Sequence, residues 1–351
     1  MIKTNCIHFK GYSPCKYNKE FGYECYSCNY YAEIDTRILI VKLDGIGDII
    51  RTTPILHRFF SIYKNPKIYW LSNHSEVLPD NIESLSYNFK SIEILRNINF
   101  DLIINLDKEM SVCAFAQSLK SRNLIGFRLE NGVVVCTPSA FHKYKTGVFD
   151  RVSKENSKHY VEEIFDIIFI EPFNGEEYIL PSFKKEEVWL DKSKYVIGLN
   201  TGYGQRWSTR CWDIHNWKNL SRKLLESGYE VVLLGGERED KINKVISDLS
   251  GAKYLGYGTY NKFINLVDNC DLIVTQVTSA LHVAIGLKKR IVLMNNVFNK
   301  NEFYLYGLGE IIEPVEKCEC YYLDKCKKEN SCMSSITVEM IIDAIERQRK
   351  C

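Results

Sequence analysis

Two carboxylates stand among glycines in the stretch KLDGIGD (42–48), which directly follows the apolar run RILIV. Asp48 has the side chain that a general base needs, and Asp44 either contacts hydroxyl groups of a ligand or only stabilises the turn. Gly45 and Gly47 permit a tight turn that brings a ligand close to the backbone. The residue types leave two interpretations of Asp48 open. It is either the base of a proton transfer or the cap of the helix that follows, and caps are the commoner use of aspartate.

A second glycine turn, in NTGYGQRWSTRCW (200–212), follows another predicted strand and contains no carboxylate. Thr201, Gly202 and Gly204 place backbone N–H groups in this turn, and such groups bind diphosphate oxygens well. The guanidinium of Arg210 can hold phosphate oxygens in a bidentate manner, although a surface cation is the alternative interpretation. The stretch therefore has the composition of a diphosphate site.

A third stretch, TQVTSALH (275–282), ends a predicted strand and begins a helix. Thr278 and Ser279 open that helix and offer hydroxyl and N–H groups to the same ligand. His282 lies between two apolar residues on the helix, where a histidine is often a satisfied core group. Both roles of His282 stay open on the residue types alone.

Short β-branched runs alternate with longer amphipathic segments, which indicates an α/β protein with parallel sheets. We predict strands at 37–43, 67–72, 100–106, 194–200, 229–236, 271–276 and 289–295. We predict helices at 49–63, 109–120, 159–170, 212–228, 237–251, 259–270, 278–289 and 336–349, a loop at 120–128 and a connector at 171–187. The two series indicate two Rossmann-like domains that face a cleft, with ligands beyond the carboxyl ends of the strands.

The 351 residues include 46 Lys and Arg and 44 Asp and Glu, so the formal net charge is only +2. This balance argues against a nucleic-acid binder, which carries a concentrated basic surface. No apolar run is long enough to span a bilayer, and the N-terminus lacks the apolar core of a signal peptide. We therefore expect a cytoplasmic protein without a transmembrane segment, for which peripheral contact with a membrane stays open.

In this order the three stretches resemble glycosyltransferase family nine, the family of the ADP-heptose–lipopolysaccharide heptosyltransferases. The resemblance rests on ILIVKLDGIGDIIRTTPIL (38–56), on the block that runs from IGLNTGYGQRW to VVLLGG (197–236), and on CDLIVTQVTSALHVAIGLKKRIVLM (270–294). It covers most of the chain from about residue 37 to the end. The middle block is its most specific part.

The resemblance implies a GT-B fold and an inverting transfer of a sugar, heptose or hexose, from a nucleotide diphosphate donor to a hydroxyl. Asp48 matches the catalytic aspartate of the family, which favours the base over the cap. Arg210 stands where relatives carry a lysine, and His282 matches the histidine of the third motif. The implied donor-binding residues are Thr201, Gly202, Gly204, Arg210, Thr278, Ser279 and His282. The implied acceptor-side residues are Asp44, Gly45, Gly47 and Arg51, and no divalent ion is needed for the transfer.

The family also implies how most of the chain divides, while the cysteine-rich ends, which are not general in the family, resemble those of a cysteine-rich branch of it. We expect a cysteine-rich extension (1–36), an acceptor-side Rossmann-like domain (37–180), a nucleotide-sugar domain (181–335) and a closing helix (336–351) that packs back on the N-terminal domain. The acceptor is left open among a glycan, a lipid-linked intermediate, a protein and a small molecule.

Two departures from the family pattern keep a second function open. Val277 stands where relatives carry the aspartate that helps to hold the donor, and Ser279 stands where they carry glycine. A different nucleotide-sugar is the first explanation of these changes. The alternative is a catalytically silent GT-B protein that binds a nucleotide-sugar, or that binds a protein partner through metal knuckles.

Thirteen cysteines are unusual for a cytoplasmic chain, and eight of them form two groups near the chain ends. The groups are Cys6, Cys15, Cys25 and Cys28, and Cys318, Cys320, Cys326 and Cys332. Close cysteine spacings in a reducing compartment indicate metal binding, and the C-x-x-C of residues 25–28 has the spacing of structural zinc sites. For the C-terminal group iron is the alternative, since related autotransporter heptosyltransferases carry a cysteine-bound iron near that end. Free thiols are the interpretation without metal.

Overall fold

The computed structural model describes residues 1–43, 45–204, 207–316, 318–323, 326 and 331–350. By their contacts the residues form two compact units. Unit 1 comprises Met1–Gly45, Thr52–Tyr144 and Glu163–Glu176, and unit 2 comprises Ile46–Arg51, Lys145–Glu162 and Glu177–Cys351. This division differs from a division in chain order because two short segments of the N-terminal half, Ile46–Arg51 and Lys145–Glu162, belong to unit 2.

Unit 1 is built on a six-stranded sheet in the order β3-β2-β1-β4-β5-β6. Its strands are β1 (Thr36–Val41), β2 (Pro66–Leu71), β3 (Glu83–Leu85), β4 (Phe100–Asn105), β5 (Ser121–Glu130) and β6 (Val133–Cys136). All neighbours are parallel except β5 and β6, which are antiparallel. Central strand β1 is apolar on both faces because both are covered, as the run Ile38–Val41 is fully buried.

The helices of the first half of the chain belong partly to unit 1 and partly to unit 2. They are α1 (Lys16–Phe21), α2 (Ile46–Ile50), α3 (Ile55–Ile62), α4 (Phe89–Arg96), α5 (Met110–Ser118), α6 (Phe141–Val148), α7 (Asp150–Glu155) and α8 (Tyr160–Ile168). The single helix predicted at 49–63 is two helices, α2 and α3. The loop predicted at 120–128 is wrong, because these residues form most of β5.

Unit 2 repeats the same strand arrangement, with a fully parallel sheet in the order β12-β11-β10-β7-β8-β9. Its strands are β7 (Val196–Asn200), β8 (Glu230–Leu234), β9 (Lys253–Tyr254), β10 (Leu272–Gln276), β11 (Arg290–Met294) and β12 (Gly309–Ile312). Its later helices are α9 (Ile214–Glu226), α10 (Asp240–Ser250), α11 (Tyr260–Asp268), α12 (Ser279–Gly286) and α13 (Val338–Arg349). The chain order of the strands reverses between β7 and β10.

Helix α13 packs in the core of unit 2. Its buried residues Ile341, Ala344 and Ile345 belong to the same apolar cluster as Trp212 and Trp217. The expectation that the closing helix (336–351) packs back on the N-terminal domain stays a prediction, and it is not needed to explain the buried face. The face is already buried by the sheet and by α9, so packing within unit 2 accounts for its sequence.

An extended segment, residues 177–190 (the strap), returns the chain to unit 2 and lies along α11. Asn261 and Asn265 fasten it through reciprocal hydrogen bonds with its backbone. Lys184 N donates to Asn261 Oδ1 (2.9 Å), Glu186 N donates to Asn265 Oδ1 (3.1 Å), and Asn265 Nδ2 donates to Glu186 O (2.9 Å). Residues four apart on a helix and two apart on an extended chain are both separated by about 6 Å, so the two spacings match.

Candidate active site

The two strands at the reversal of strand order in unit 2 end in the turns that the sequence analysis selected. Strand β7 leads into residues 201–204, and the neighbouring strand β10 leads into residues 277–279. Ligands of open α/β sheets bind at this reversal, outside the carboxyl ends of the strands. Asn200 joins the two turns, since its Nδ2 donates to Gly202 O (3.2 Å) and to Thr278 Oγ1 (3.1 Å).

Arg210 lies between these turns and is only 7% exposed. Its Nη1 donates to Val277 O, and its Nε has no hydrogen-bond partner among the described residues. No carboxylate of the described residues lies within ion-pair distance of it, and burial lowers the pKa of the guanidinium to about 10. Arg210 is therefore a buried cation without a described anionic partner, and the interpretation as a surface cation is wrong.

Gly204 is required by its contact with Arg210. Its φ is +76°, and a Cβ on it would stand 2.7 Å from Nη2 of Arg210. A side chain at this position would thus occupy the space of the guanidinium and strain the backbone. The turn fits closely around the cation.

Thr278 and Ser279 begin α12 as predicted. Thr278 is the N-cap, and its Oγ1 accepts a hydrogen bond from Ala280 N (3.3 Å). The start of the helix places positive potential beside the turns, where it favours an anion.

A carboxylate that the sequence analysis missed lies at the same edge. Glu239 Oε2 accepts from Gly236 N (2.9 Å), and a Cβ on Gly202 would stand 3.3 Å from Oε1 of Glu239. The sequence does indicate it, because Glu239 follows Gly236 by three residues directly after β8, which is the spacing of a capping box.

Asp48 lies in unit 2, within the first turn of α2. Because α2 begins at Ile46, Asp48 is not its N-cap, and the capping interpretation is wrong. Asp48 Oδ1 instead pairs with Arg51 Nη2 at 2.7 Å. The guanidinium of Arg51 stacks 3.6 Å from the ring centroid of Tyr160, and its side chain is 11% exposed against 39% for Asp48. A fixed arginine therefore holds an accessible carboxylate.

His282 reaches the glycine turn of α2. A Cβ on Gly47 would stand 2.5 Å from Cδ2 of His282, so the imidazole lies directly against the glycine backbone. Burial, reinforced by the charge of Arg51, lowers the pKa of His282 to about 3, and the ring is neutral near neutral pH. The histidine predicted to bind the donor thus contacts the turn that carries Asp48.

The predicted residues therefore gather in two groups along α12. Its N-terminal end lies beside the turns at 201–204 and 277–279 and beside Arg210, and His282, one turn further on, contacts α2. Gly45 has a φ of +79° and permits the bend before α2. Asp44, predicted on the acceptor side, lies outside the described residues.

The cysteine groups converge only in part. Cys6, Cys15, Cys25 and Cys28 line one apolar cavity of about 30 Å³ together with His8. At the other end of the chain Cys320 Sγ lies 3.3 Å from Cys326 Sγ, and the side chain of Cys318 contacts that of Cys332. The twelve described cysteines are free thiols. Within the described residues no three His, Cys, Asp or Glu side chains are arranged as a metal site.

The two sheets and the turns at their edges define a GT-B glycosyltransferase fold. The profile of glycosyltransferase family 9 (heptosyltransferase) matches residues 89–303, more than half of the chain, so the protein belongs to this family. It is a glycosyltransferase of heptosyltransferase type. No curated protein matches the sequence.

Solved structures of low sequence identity share the fold. A family 9 glycosyltransferase of Veillonella parvula superposes with a TM-score of 0.67 at 17% identity, covering 90% of this chain and 97% of that one. For the ADP-heptose lipopolysaccharide heptosyltransferase II of E. coli the TM-score is 0.63 at 15% identity, with 90% and 100% covered. The iron-containing dodecameric glycosyltransferase TibC of enterotoxigenic E. coli superposes with a TM-score of 0.55 at 12% identity, covering 90% of this chain and 79% of that one. Among the described residues no helix has the length and apolar character to cross a membrane.

Proposed function

We propose that this protein is an inverting glycosyltransferase that moves a sugar from a nucleoside diphosphate donor to a hydroxyl group. The observation that carries the proposal is the buried Arg210, which lies between the turns at 201–204 and 277–279 at the reversal of strand order. A buried cation is costly without an anion, and a diphosphate would supply that anion. Glu239 at the same edge is placed to accept a hydrogen bond from a hydroxyl of the donor.

In this proposal Asp48 is the general base. Its carboxylate takes the proton of the acceptor hydroxyl as the oxygen attacks the anomeric carbon and the nucleoside diphosphate leaves. Arg51 orients the carboxylate through the ion pair of 2.7 Å. The neutral His282 supports the turn through Gly47, while Arg210 and the turn N–H groups stabilise the charge of the leaving group.

Turnover of a donor panel tests this function. Purified protein is incubated with nucleotide-sugars that differ in base and sugar, with water or candidate glycans as acceptor, and nucleoside diphosphate release is measured. Asp48→Asn keeps the shape of the side chain but removes the base, so release is expected to fall at least about a hundredfold. Asp248→Asn, an exposed change on α10, is the matched control. Binding of a donor without release in the wild type would favour the catalytically silent alternative.

We also propose that the N-terminal cysteines hold a structural metal ion. Among the described residues of 1–35 only Cys6 is a buried apolar side chain, so this segment has no core of its own to keep it folded. The cavity lined by four cysteines is of the size of an ion, and four thiolates suit tetrahedral zinc. The paired contacts at Cys318–Cys332 and Cys320–Cys326 make the second group a candidate for zinc or for iron, which TibC contains.

Metal content and chelator-treated melting test the metal proposal. We expect about one equivalent of zinc or iron per occupied group and a lower melting temperature after chelation. Cys25→Ser should lose metal at the N-terminal group, whereas Cys270→Ser, which changes a buried thiol of unit 2, should not. Metal-free protein with unchanged melting would contradict the proposal.

The free cysteines also support a reducing, cytoplasmic location.

A further inference from the structure

A cluster of lysines lies at the reversal of strand order in unit 1. The sheet order places β1 beside β4, and Lys42 directly follows β1 while Lys108 follows β4 by three residues. This is the position in unit 1 that corresponds to the diphosphate turns of unit 2, and open α/β sheets bind ligands there. Lys143, from α6, completes the cluster, since Lys108 Nζ donates to Lys143 O at 3.2 Å.

Two of the three lysines are already neutralised by carboxylates. Lys42 Nζ lies 3.1 Å from Asp107 Oδ1, and Asp107 Oδ2 accepts from Leu43 N at 2.5 Å. Lys143 Nζ lies 2.5 Å from Glu163 Oε2. Both carboxylates are therefore occupied by other donors.

Both oxygens of the Glu163 carboxylate have partners within unit 1. Its residue is 2% exposed, and its Oε1 also lies 3.5 Å from His142 Nε2. A carboxylate held in this way by Lys143 and His142 is not free to turn toward Lys108. The two ion pairs thus form a rigid frame around the third lysine.

Lys108 is the lysine in this frame that lacks a carboxylate. Among the described residues no carboxylate lies within ion-pair distance of its ammonium group, which donates to the carbonyl of Lys143 and lies 4.9 Å from the centroid of the Phe127 ring. Burial and the charges of Lys143 and Lys42 lower the pKa of Lys108 to about 8, against the opposing influence of Glu163 and Cys136. The cluster holds one positive charge more than its carboxylates neutralise.

We propose that Lys108 receives an anionic group, a phosphate or a carboxylate, of the acceptor. That the ligand is the acceptor rests on the proposed glycosyl transfer, whereas the anion site at Lys108 does not depend on that function. Lys42 and Lys143 act as positioning residues that keep Asp107 and Glu163 away from Lys108. An anion in the frame supplies the missing counter-charge and thereby favours the protonated form of the lysine.

Site-resolved labelling of lysines tests the anion site without a donor and without turnover. The full-length protein is acetylated with trace labelled acetic anhydride over a range of pH, and the modified peptides are quantified by mass spectrometry. We expect inorganic phosphate to slow the acetylation of Lys108 near pH 8 by roughly threefold or more and to move its titration upward. Exposed Lys120, in the same unit, is the control and should react at the same rate with and without phosphate.

Parallel arms separate the two ligand chemistries. Protection by phosphate but not by acetate assigns a phosphate group, and protection by acetate assigns a carboxylate. Lys143→Met should weaken the protection of Lys108, whereas Lys120→Met should leave it unchanged. Equal protection of both lysines, or none of Lys108 by either anion, overturns the proposal.

The same measurement on Asp48→Asn distinguishes this inference from the proposed function. Protection of Lys108 should persist in that variant because Asp48 belongs to unit 2. Protection together with a failed donor panel would retain the anion site and refute the transfer. Turnover without protection would retain the transfer and refute the anion site.

Discussion

Replacing Arg210 with methionine is expected to stabilise the free protein while it weakens binding of a nucleoside diphosphate. Burial lowers the pKa of Arg210 from 12.5 to about 10, and the group is charged at pH 7 in both the folded and the unfolded chain. At about 1.4 kcal/mol per pKa unit, the buried charge costs the folded state about 3 kcal/mol. Methionine keeps the apolar stem of the side chain and removes this cost.

Loss of the hydrogen bond to Val277 O offsets part of this gain. We therefore expect a net stabilisation of about 1–2 kcal/mol, which corresponds to a rise of about 2–8 °C in the melting temperature of unit 2. Charge-assisted contacts to phosphate contribute about 1.5–3 kcal/mol, so binding should weaken by about tenfold to a hundredfold. Thermal unfolding with and without ADP or UDP, together with calorimetric titration, measures both effects.

Arg222→Met, which changes an exposed arginine of α9, is the matched control and should alter neither property. Arg210→Lys should retain part of the binding, because it keeps the charge and loses the planar guanidinium. The reasoning is refuted if Arg210→Met lowers the melting temperature of the free protein while nucleoside diphosphate binding is unchanged. That result would make Arg210 a structural residue that stabilises the turns.

Three further changes test the site and its supports. Gly47→Ala should lower kcat/KM at least about tenfold, because its Cβ would stand 2.5 Å from Cδ2 of His282, and adding His282→Ala should restore part of the activity in a double-mutant cycle. The free energy of unfolding should fall as the pH drops from 6.5 towards 3, because His282 binds a proton in the unfolded chain but stays neutral when it is buried in the folded one. In acid unfolding curves His282→Gln should reduce this dependence on pH. Asn265→Ala should cost about 2 kcal/mol by leaving strap backbone groups without partners and should speed proteolysis of the strap, whereas Asn219→Ala on α9 should change neither.

The alternation of strands and helices could be predicted because the seven predicted strands each carry an apolar run; they are β1, β2, β4, β7, β8, β10 and β11. The run Ile38–Val41 is buried on both faces, and the charged turn after it marks its end. Residues that follow strand ends could therefore be selected in order, and the structure brings Thr201, Arg210 and Thr278 to one edge of unit 2. Local spacing was sufficient here because the sheet itself aligns the strand ends.

Features that depend on residues distant in sequence, or on irregular backbone, could not be predicted in this way. Strand β5 has exposed residues over its first part, so its charged start obscured the strand period. The start of α2 depends on the positive φ of Gly45, and this shifts the helix three residues earlier than predicted. The contact of Gly47 with His282 joins residues more than two hundred positions apart, for which no sequence spacing exists.

The assignment of α2 to unit 2 limits how the protein can be recombined with its relatives. The chain leaves unit 1 at Ile46 and re-enters it at Thr52, so the helix that carries Asp48 is encoded in the first half of the gene but packs with the second. A chimera joined near residue 180 would combine α2 of one parent with α12 of the other. Such hybrids should be active only when the residues facing each other at Gly47 and His282 come from the same parent or match in size.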